Sequence, residues 1–335
     1  MLAEYNVAFI PAGEMNSALA LKAAGNGHKV VLYLHSQESY EYFQASNESP
    51  KLKGVKLPGV KGTNCLAEAL SDRNVVCFTP RSWDLRTYLR DSTSFIDPNA
   101  IIVFGTKGFD EYQGRYYTPS QVAEQELPDF KDRFVVLSGP NFARQIALGK
   151  ITGTTIAAYN LEYAKRVRGL FQNGSFRADL YGGRLLDVEI IGAAKNVIGL
   201  VMGFARTLKE YDENTGAFIL QKGLYEVSLL CEAMGGDPKA IMQLCGVGDS
   251  GLLMNSMTSR NVEAGYDFGR GAKTIEDLTN PKHTIEGVRT VKAVRSLSQD
   301  PKHRVFMPLT RAAYKVIYEG MDPTLAVRGL LLRNS

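Results

Sequence analysis

The sequence predicts an α/β fold in two parts: a doubly wound parallel sheet over residues 1–184, then an all-helical domain over residues 185–335. Two observations predict it. The first half carries short, continuous β-branched or aromatic runs separated by polar helical stretches, the pattern of strands covered on both faces. From about Leu185 onward, long segments with apolar residues at helical spacing replace them, and the change falls near "YGGRLLD", residues 181–187. A chain of 335 residues is long enough for two such domains, each with its own core.

The strand candidates of the first half are "NVAFI" (residues 6–10), "HKVVLYLH" (28–35), "NVVCFT" (74–79), "AIIVFGT" (100–106), "RFVVLSG" (133–139) and "GTTIAAY" (153–159). Intervening segments such as residues 82–91 are long enough for crossover helices, and in such sheets ligands bind beyond the carboxyl ends of the strands. The order strand, turn and alanine-rich helix at the N-terminus makes this a Rossmann-type unit. The second half is expected to be helical over residues 187–209, 217–234, 238–244, 284–297 and 309–318, with no β-rich run evident after Leu180.

Bulk composition narrows the function. Hydrophobic content of 44% and charged content of 22% are those of a globular protein, and a net charge of +4 does not call for a nucleic acid. The longest apolar run, residues 190–204, is about 15 residues and contains Lys195, too short and too costly for a membrane span. The start "MLAEYN" lacks a basic segment leading into an apolar one, so no secretory signal is expected and the cytoplasm is the expected location. Four scattered cysteines read as free thiols, and four dispersed histidines make a zinc site unexpected.

The loop after the first strand is "PAGEMN", residues 11–16. Of the three glycines in G-x-G-x-x-G it keeps the middle one, Gly13, whose role is to let backbone approach a pyrophosphate. Pro11 can make the tight turn but removes an N–H. Asn16 adds a side chain where glycine allows close helix packing, which would push the helix outward or move the ligand. Glu14 favours the helix dipole yet competes with phosphate for it. Gly13, Glu14 and Met15 are the cofactor-loop candidates. At the end of the second strand, "LHSQ" has no acid to grip an adenosine ribose, and His35 sits there instead, tilting the reading from NAD towards NADP or towards indifference between the two.

The segments "TKGF" (106–109), "VLSGPNFARQIALG" (136–149), "GAAKNVIGL" (192–200), "GVGD" (246–249), "SRN" (259–261) and "EGVRTVKAV" (286–294) occur together and in order. The chain resembles the NAD(P)-dependent sn-glycerol-3-phosphate dehydrogenase family along nearly its whole length. The resemblance implies hydride transfer between a nicotinamide cofactor and a small phosphorylated substrate, in a homodimer. Lys195, set among small apolar residues where desolvation tunes a lysine for proton transfer, would be the general acid/base. The resemblance further implies Lys107 as a second cation polarising the carbonyl, and Asp249 as a buried carboxylate beside Lys195. Arg260 and Asn261 would grip the substrate phosphate, Asn196 would bond in the substrate site, Asn141 would lie near the reacting centre, and Glu286 would touch the cofactor.

Two positions depart from the family pattern. Leu253 stands where a hydroxyl side chain is common, and Gly216 where a basic one is common. They leave open a dehydrogenase of another small phosphorylated or acidic hydroxy compound, while Pro11, Glu14 and Asn16 leave open a non-catalytic relative with an impaired cofactor loop.

Overall fold

A computed structural model describes residues 4–255, 257–280, 285–302 and 304–332. The chain divides into two compact units, Met1–Asp110 with Tyr117–Leu185, and Glu111–Tyr116 with Leu186–Ser335.

The first unit is built on an eight-stranded sheet. Its strands are β1 (Asn6–Ile10), β2 (Lys29–Tyr33), β3 (Val60–Thr63), β4 (Val75–Phe78) and β5 (Ile101–Phe104), then β8 (Phe134–Ser138), β9 (Thr152–Ala158) and β10 (Phe176–Tyr181). β6 (Asp110–Tyr112) and β7 (Arg115–Tyr117) form a separate two-stranded ribbon. The order across the large sheet is β10-β9-β8-β5-β4-β1-β2-β3. β1 lies between β2 and β4, parallel to both, and Val7, Ala8, Phe9 and Ile10 are wholly buried. That is why the run is continuous and apolar rather than alternating.

The parallel expectation needs one correction. β9 runs antiparallel to β8, and β10 follows β9 in parallel, so the last two strands oppose the other six. The link from β8 to β9 holds only the short helix Ala143–Ala147, whereas parallel neighbours need a longer crossover. Four further strands escape a search for continuous apolar runs. β3, "VKGT", exposes Lys61, and β10, "FRADLY", alternates buried and exposed residues in its first half, as an edge strand does. The ribbon β6–β7 turns at Gln113 and Gly114, whose φ values of 51° and 72° give the doubly left-handed turn that two-residue hairpins need.

In the second unit the helix Leu185–Ala205 packs against Glu213–Ala233, Arg260–Gly269 and Glu286–Gln299. Among the described residues it is the one helix long and apolar enough to cross a membrane, and most of it is buried inside the protein. Its glycines let backbones touch. A Cβ on Gly203 would lie 2.3 Å from the Val262 carbonyl oxygen, and one on Gly265 would lie 2.3 Å from that of Leu200. The helix ends at Ala205 rather than at the expected residue 209, because the Thr207 hydroxyl bonds the Phe204 carbonyl and helps turn the chain. Residues 238–242 form a 3₁₀ turn that starts at Pro238. The expected helix start at residue 284 lies outside the described residues, and the helix is seen from Glu286.

The ribbon tip Glu111–Tyr116 belongs to the second unit, although the sequence boundary places it in the first. Lys292 explains the assignment: its ammonium meets Glu111 at 3.1 Å, and that hydrogen bond is the largest of the effects raising its proton affinity.

Candidate active site

In the first unit the loop after β1 forms the nucleotide side. The helix Glu14–Gly25 starts at Glu14, with Gly13 extended at φ −76° and ψ 171°. A Cβ on Gly13 would meet nothing within 4 Å, so the backbone there is open to approach. Behind it the loop is tied down: Ala12 N donates to the Tyr33 carbonyl at 2.7 Å, and the Ser17 hydroxyl to the Gly13 carbonyl at 2.8 Å. Asn16, expected to displace the helix, is instead taken inside. It is fully buried, and its amide donates to the Pro11 carbonyl at 2.8 Å. Glu14 and Met15 are half-buried in the first helical turn. A pocket of about 270 Å³ opens beside the loop, with Gly13, His35, Lys51 and Tyr88 in its walls. His35 is exposed at the end of β2, packed edge-on to Tyr33 and Tyr88. An open glycine, first-turn N–H groups and an adjoining pocket fit a dinucleotide.

Also in the first unit, Lys107 follows β5, with its ammonium 3.2 Å from the Gly139 carbonyl. Asn141 commits its amide to β9, donating to the Gly153 carbonyl at 2.9 Å and to the Thr152 hydroxyl at 3.1 Å. It thereby shapes the loop that offers Gly139 to Lys107.

The second unit brings four of the candidate side chains together as two bonded pairs that start from adjacent residues of one helix. Lys195, in the middle of the helix Leu185–Ala205, donates to Asp249 Oδ1 at 2.7 Å, with side-chain exposures of 12% and 3%. Asp249 opens the helix Asp249–Asn255 after a wide turn over Leu244–Gly248. One residue on, Asn196 is buried, and its Oδ1 accepts from the Asn261 amide at 3.0 Å. Asn261 in turn accepts from Gly287 N at 2.9 Å, locking three helices together. Among the described residues no acceptor meets the Asn196 amide nitrogen. Arg260, exposed, heads the helix Arg260–Gly269 beside Asn261, and Glu286 heads the helix Glu286–Gln299 beside Gly287.

The two departures acquire a physical form. Gly199 stands one turn beyond Lys195, and Leu253 one turn beyond Asp249. A Cβ on Gly199 would lie 3.4 Å from Leu253 Cδ2, so an apolar contact flanks the ion pair. At Gly216 a Cβ would lie 2.8 Å from the Tyr211 hydroxyl and 3.2 Å from Met254 Cε, so the room for a basic side chain is filled. Sequence reasoning missed Lys51 and Tyr88, which belong to no motif and reach the loop only through the fold. Among the described residues no group of three or more His, Cys, Asp or Glu is placed to hold a metal.

Comparison with known proteins adds a name to this geometry. Residues 6–164 match the model of the NAD-dependent glycerol-3-phosphate dehydrogenase N-terminus, and residues 185–328 that of its C-terminus. The chain is 36% identical to the glycerol-3-phosphate dehydrogenase [NAD(P)+] of Pelotomaculum thermopropionicum over 98% of this chain and 93% of the relative. It is 34% identical to that of Bacillus subtilis over 98% and 94%. The crystal structure of the Coxiella burnetii glycerol-3-phosphate dehydrogenase superposes with a TM-score of 0.90 at 27% identity, covering 98% of this chain and 99% of the other. With both of its halves matched, the chain belongs to the NAD-dependent glycerol-3-phosphate dehydrogenase family.

Proposed function

We propose that this protein interconverts sn-glycerol 3-phosphate and dihydroxyacetone phosphate with NAD or NADP, and that Lys195 is its general acid/base. The buried Lys195–Asp249 pair carries the reading, since desolvating a cation and an anion costs several kcal/mol that solubility and packing never require. The nicotinamide supplies the hydride chemistry when bound. In ketone reduction Lys195 gives its proton to the oxygen on C2 as hydride reaches that carbon, and in alcohol oxidation the neutral amine takes the proton back. Asp249 holds the nitrogen on one line, and Lys107 stabilises the negative charge developing on the oxygen. The Arg260 guanidinium and Asn261 hold the phosphate, while Asn196, kept in place by Asn261, turns its amide N–H groups towards the substrate.

Mixing purified protein with dihydroxyacetone phosphate and NADPH or NADH, and following loss of reduced-cofactor absorbance, tests the reading. Folded protein that turns over neither would end it. Lys195→Met is expected to lower kcat by about 10²–10⁴-fold. A second substrate, another small phosphorylated hydroxy compound, is favoured by Leu253 and by the filled space at Gly216, and a panel of such compounds compared by kcat/KM decides between the two.

The same reading makes the protein a cytoplasmic homodimer. Its free cysteines, three of them buried, suit a reducing compartment. Phe218 and Tyr225, seven residues apart on one helix and 41% and 59% exposed, suit an apolar contact between copies. Light scattering giving the 36.9 kDa of a single chain would refute the dimer.

A further inference from the structure

The first unit hides a charge cluster outside the chemistry described above. Arg86, on the helix Leu85–Ser92, has a side chain only 7% exposed, and its Nε and Nη2 both meet Asp110 Oδ2 at 2.8 Å. Its Nη1 donates to Glu126 Oε1 at 2.5 Å and to Gln125 Oε1 at 2.9 Å, both on the helix Pro119–Glu126. Glu126 also accepts from Arg90 Nε at 2.8 Å. The Tyr117 ring centre lies 5.9 Å from the Arg86 guanidinium carbon. Burying such groups is costly, and pairing repays the cost only when the geometry is good and the other donors are satisfied. A cluster of this kind is well suited to fixing one arrangement of the chain.

The segment it fixes is the one that carries Lys107. β5 ends at Phe104 and β6 begins at Asp110, with Lys107 between them. At the near end Gly105 N donates to the Phe78 carbonyl at 2.9 Å, and the buried Thr106 hydroxyl donates to the Pro80 carbonyl at 2.9 Å. At the far end Phe109 is buried and Asp110 is held by Arg86. Between the two ends Gly108 adopts φ 124°, a conformation that glycine takes far more readily than other residues. A glycine of that kind leaves the backbone free to pivot, so the stretch from Thr106 to Asp110 keeps one course only while both ends are pinned. The Lys107 ammonium, 3.2 Å from the Gly139 carbonyl, takes its place from that course.

We propose that Arg86 is a positioning residue for the reaction: by gripping Asp110 it fixes the backbone that presents Lys107, without itself touching substrate or cofactor. The inference rests on the proposed dehydrogenase function and extends it to a side chain outside the site. Arginine suits the task because its planar fork of five donors serves two carboxylates and an amide together, whereas a lysine ammonium is a compact point charge. Misplacing a group that acts on the reacting centre by about 1 Å can cost about 100-fold in rate.

Steady-state kinetics of Arg86→Lys and Asp110→Asn with dihydroxyacetone phosphate and reduced cofactor test this, beside calorimetric titration with the same cofactor. Both variants should lower kcat at least about tenfold while the cofactor dissociation constant stays within about twofold. The decisive readout is a double-mutant cycle with Lys107→Ala. Once that ammonium is gone there is nothing left to position, so adding Arg86→Lys should change kcat by less than about twofold. If Arg86→Lys fails to fold, Asp110→Asn, which keeps the shape and an accepting oxygen, completes the same cycle. A merely structural role lowers kcat by the same factor with and without Lys107, or lowers only the melting temperature. Either result overturns the inference and leaves the dehydrogenase reading standing, whereas folded wild type without turnover overturns both.

Discussion

The Lys195–Asp249 pair hides two opposite charges where neither is more than 12% exposed. Truncating one partner strands the other, which typically costs about 3–5 kcal/mol, whereas replacing both by apolar groups is close to neutral. Asp249→Leu should therefore lose about 3 kcal/mol in urea unfolding, and Lys195→Met combined with it should recover most of that loss while remaining inactive. A double variant as unstable as Asp249→Leu alone would show that the pair is not the source of the cost. These residues were legible in the sequence because "GAAKNVIGL", "GVGD" and "SRN" carry them in fixed order. Lys51 was not. Its position depends on Ser49 reaching back to Ala12, a contact 37 positions apart that no local pattern announces. The bonds of Asn141 were equally hidden, for they run to a strand whose direction reverses.

Among the elements, the helix Pro308–Glu319 depends on a residue from elsewhere in the chain. Glu226 accepts from the N–H groups of Leu309 and Thr310 and from the Thr310 hydroxyl, filling the role of an N-cap. Burial pushes its carboxyl up from 4.5 to about 7, in spite of those donors. Because the folded value lies above the unfolded one, the stability it contributes is full below about 4.5 and is lost as pH rises through about 7. The melting temperature of the wild type should fall between pH 5.5 and 8, and Glu226→Gln should flatten that dependence. Identical slopes for the two proteins would refute the assignment. Close helix contact gives a second element-scale prediction. Gly203→Ala would set a methyl 2.3 Å from backbone, so it should cost at least about 2 kcal/mol in unfolding experiments. At this scale the central strands and long helices were readable from continuous and 3.6-residue periodicities. The edge strand β10 was not, since its Arg177 and Asp179 face outward and pair at 2.7 Å.

For the molecule as a whole, two units with separate cores predict distinct responses to ligand. At one hundred times its dissociation constant, NADPH should stabilise the nucleotide-binding unit by about 2.7 kcal/mol. Scanning calorimetry should show that transition moving upward by several degrees, and an unchanged scan would contradict binding there. The overall two-part architecture was legible from the switch of periodicity near residue 185. The excursion of Glu111–Tyr116 was not, because the strands on either side of its turn are three residues each and carry no apolar run. That excursion has a practical consequence for anyone dissecting the gene. Cutting at residue 185 would yield a fragment still carrying six residues that fold with the missing half. Since Asp110 and Tyr117 stand at the open end of a hairpin, deleting the six and splicing across with a short glycine bridge would free the nucleotide half as a clean module.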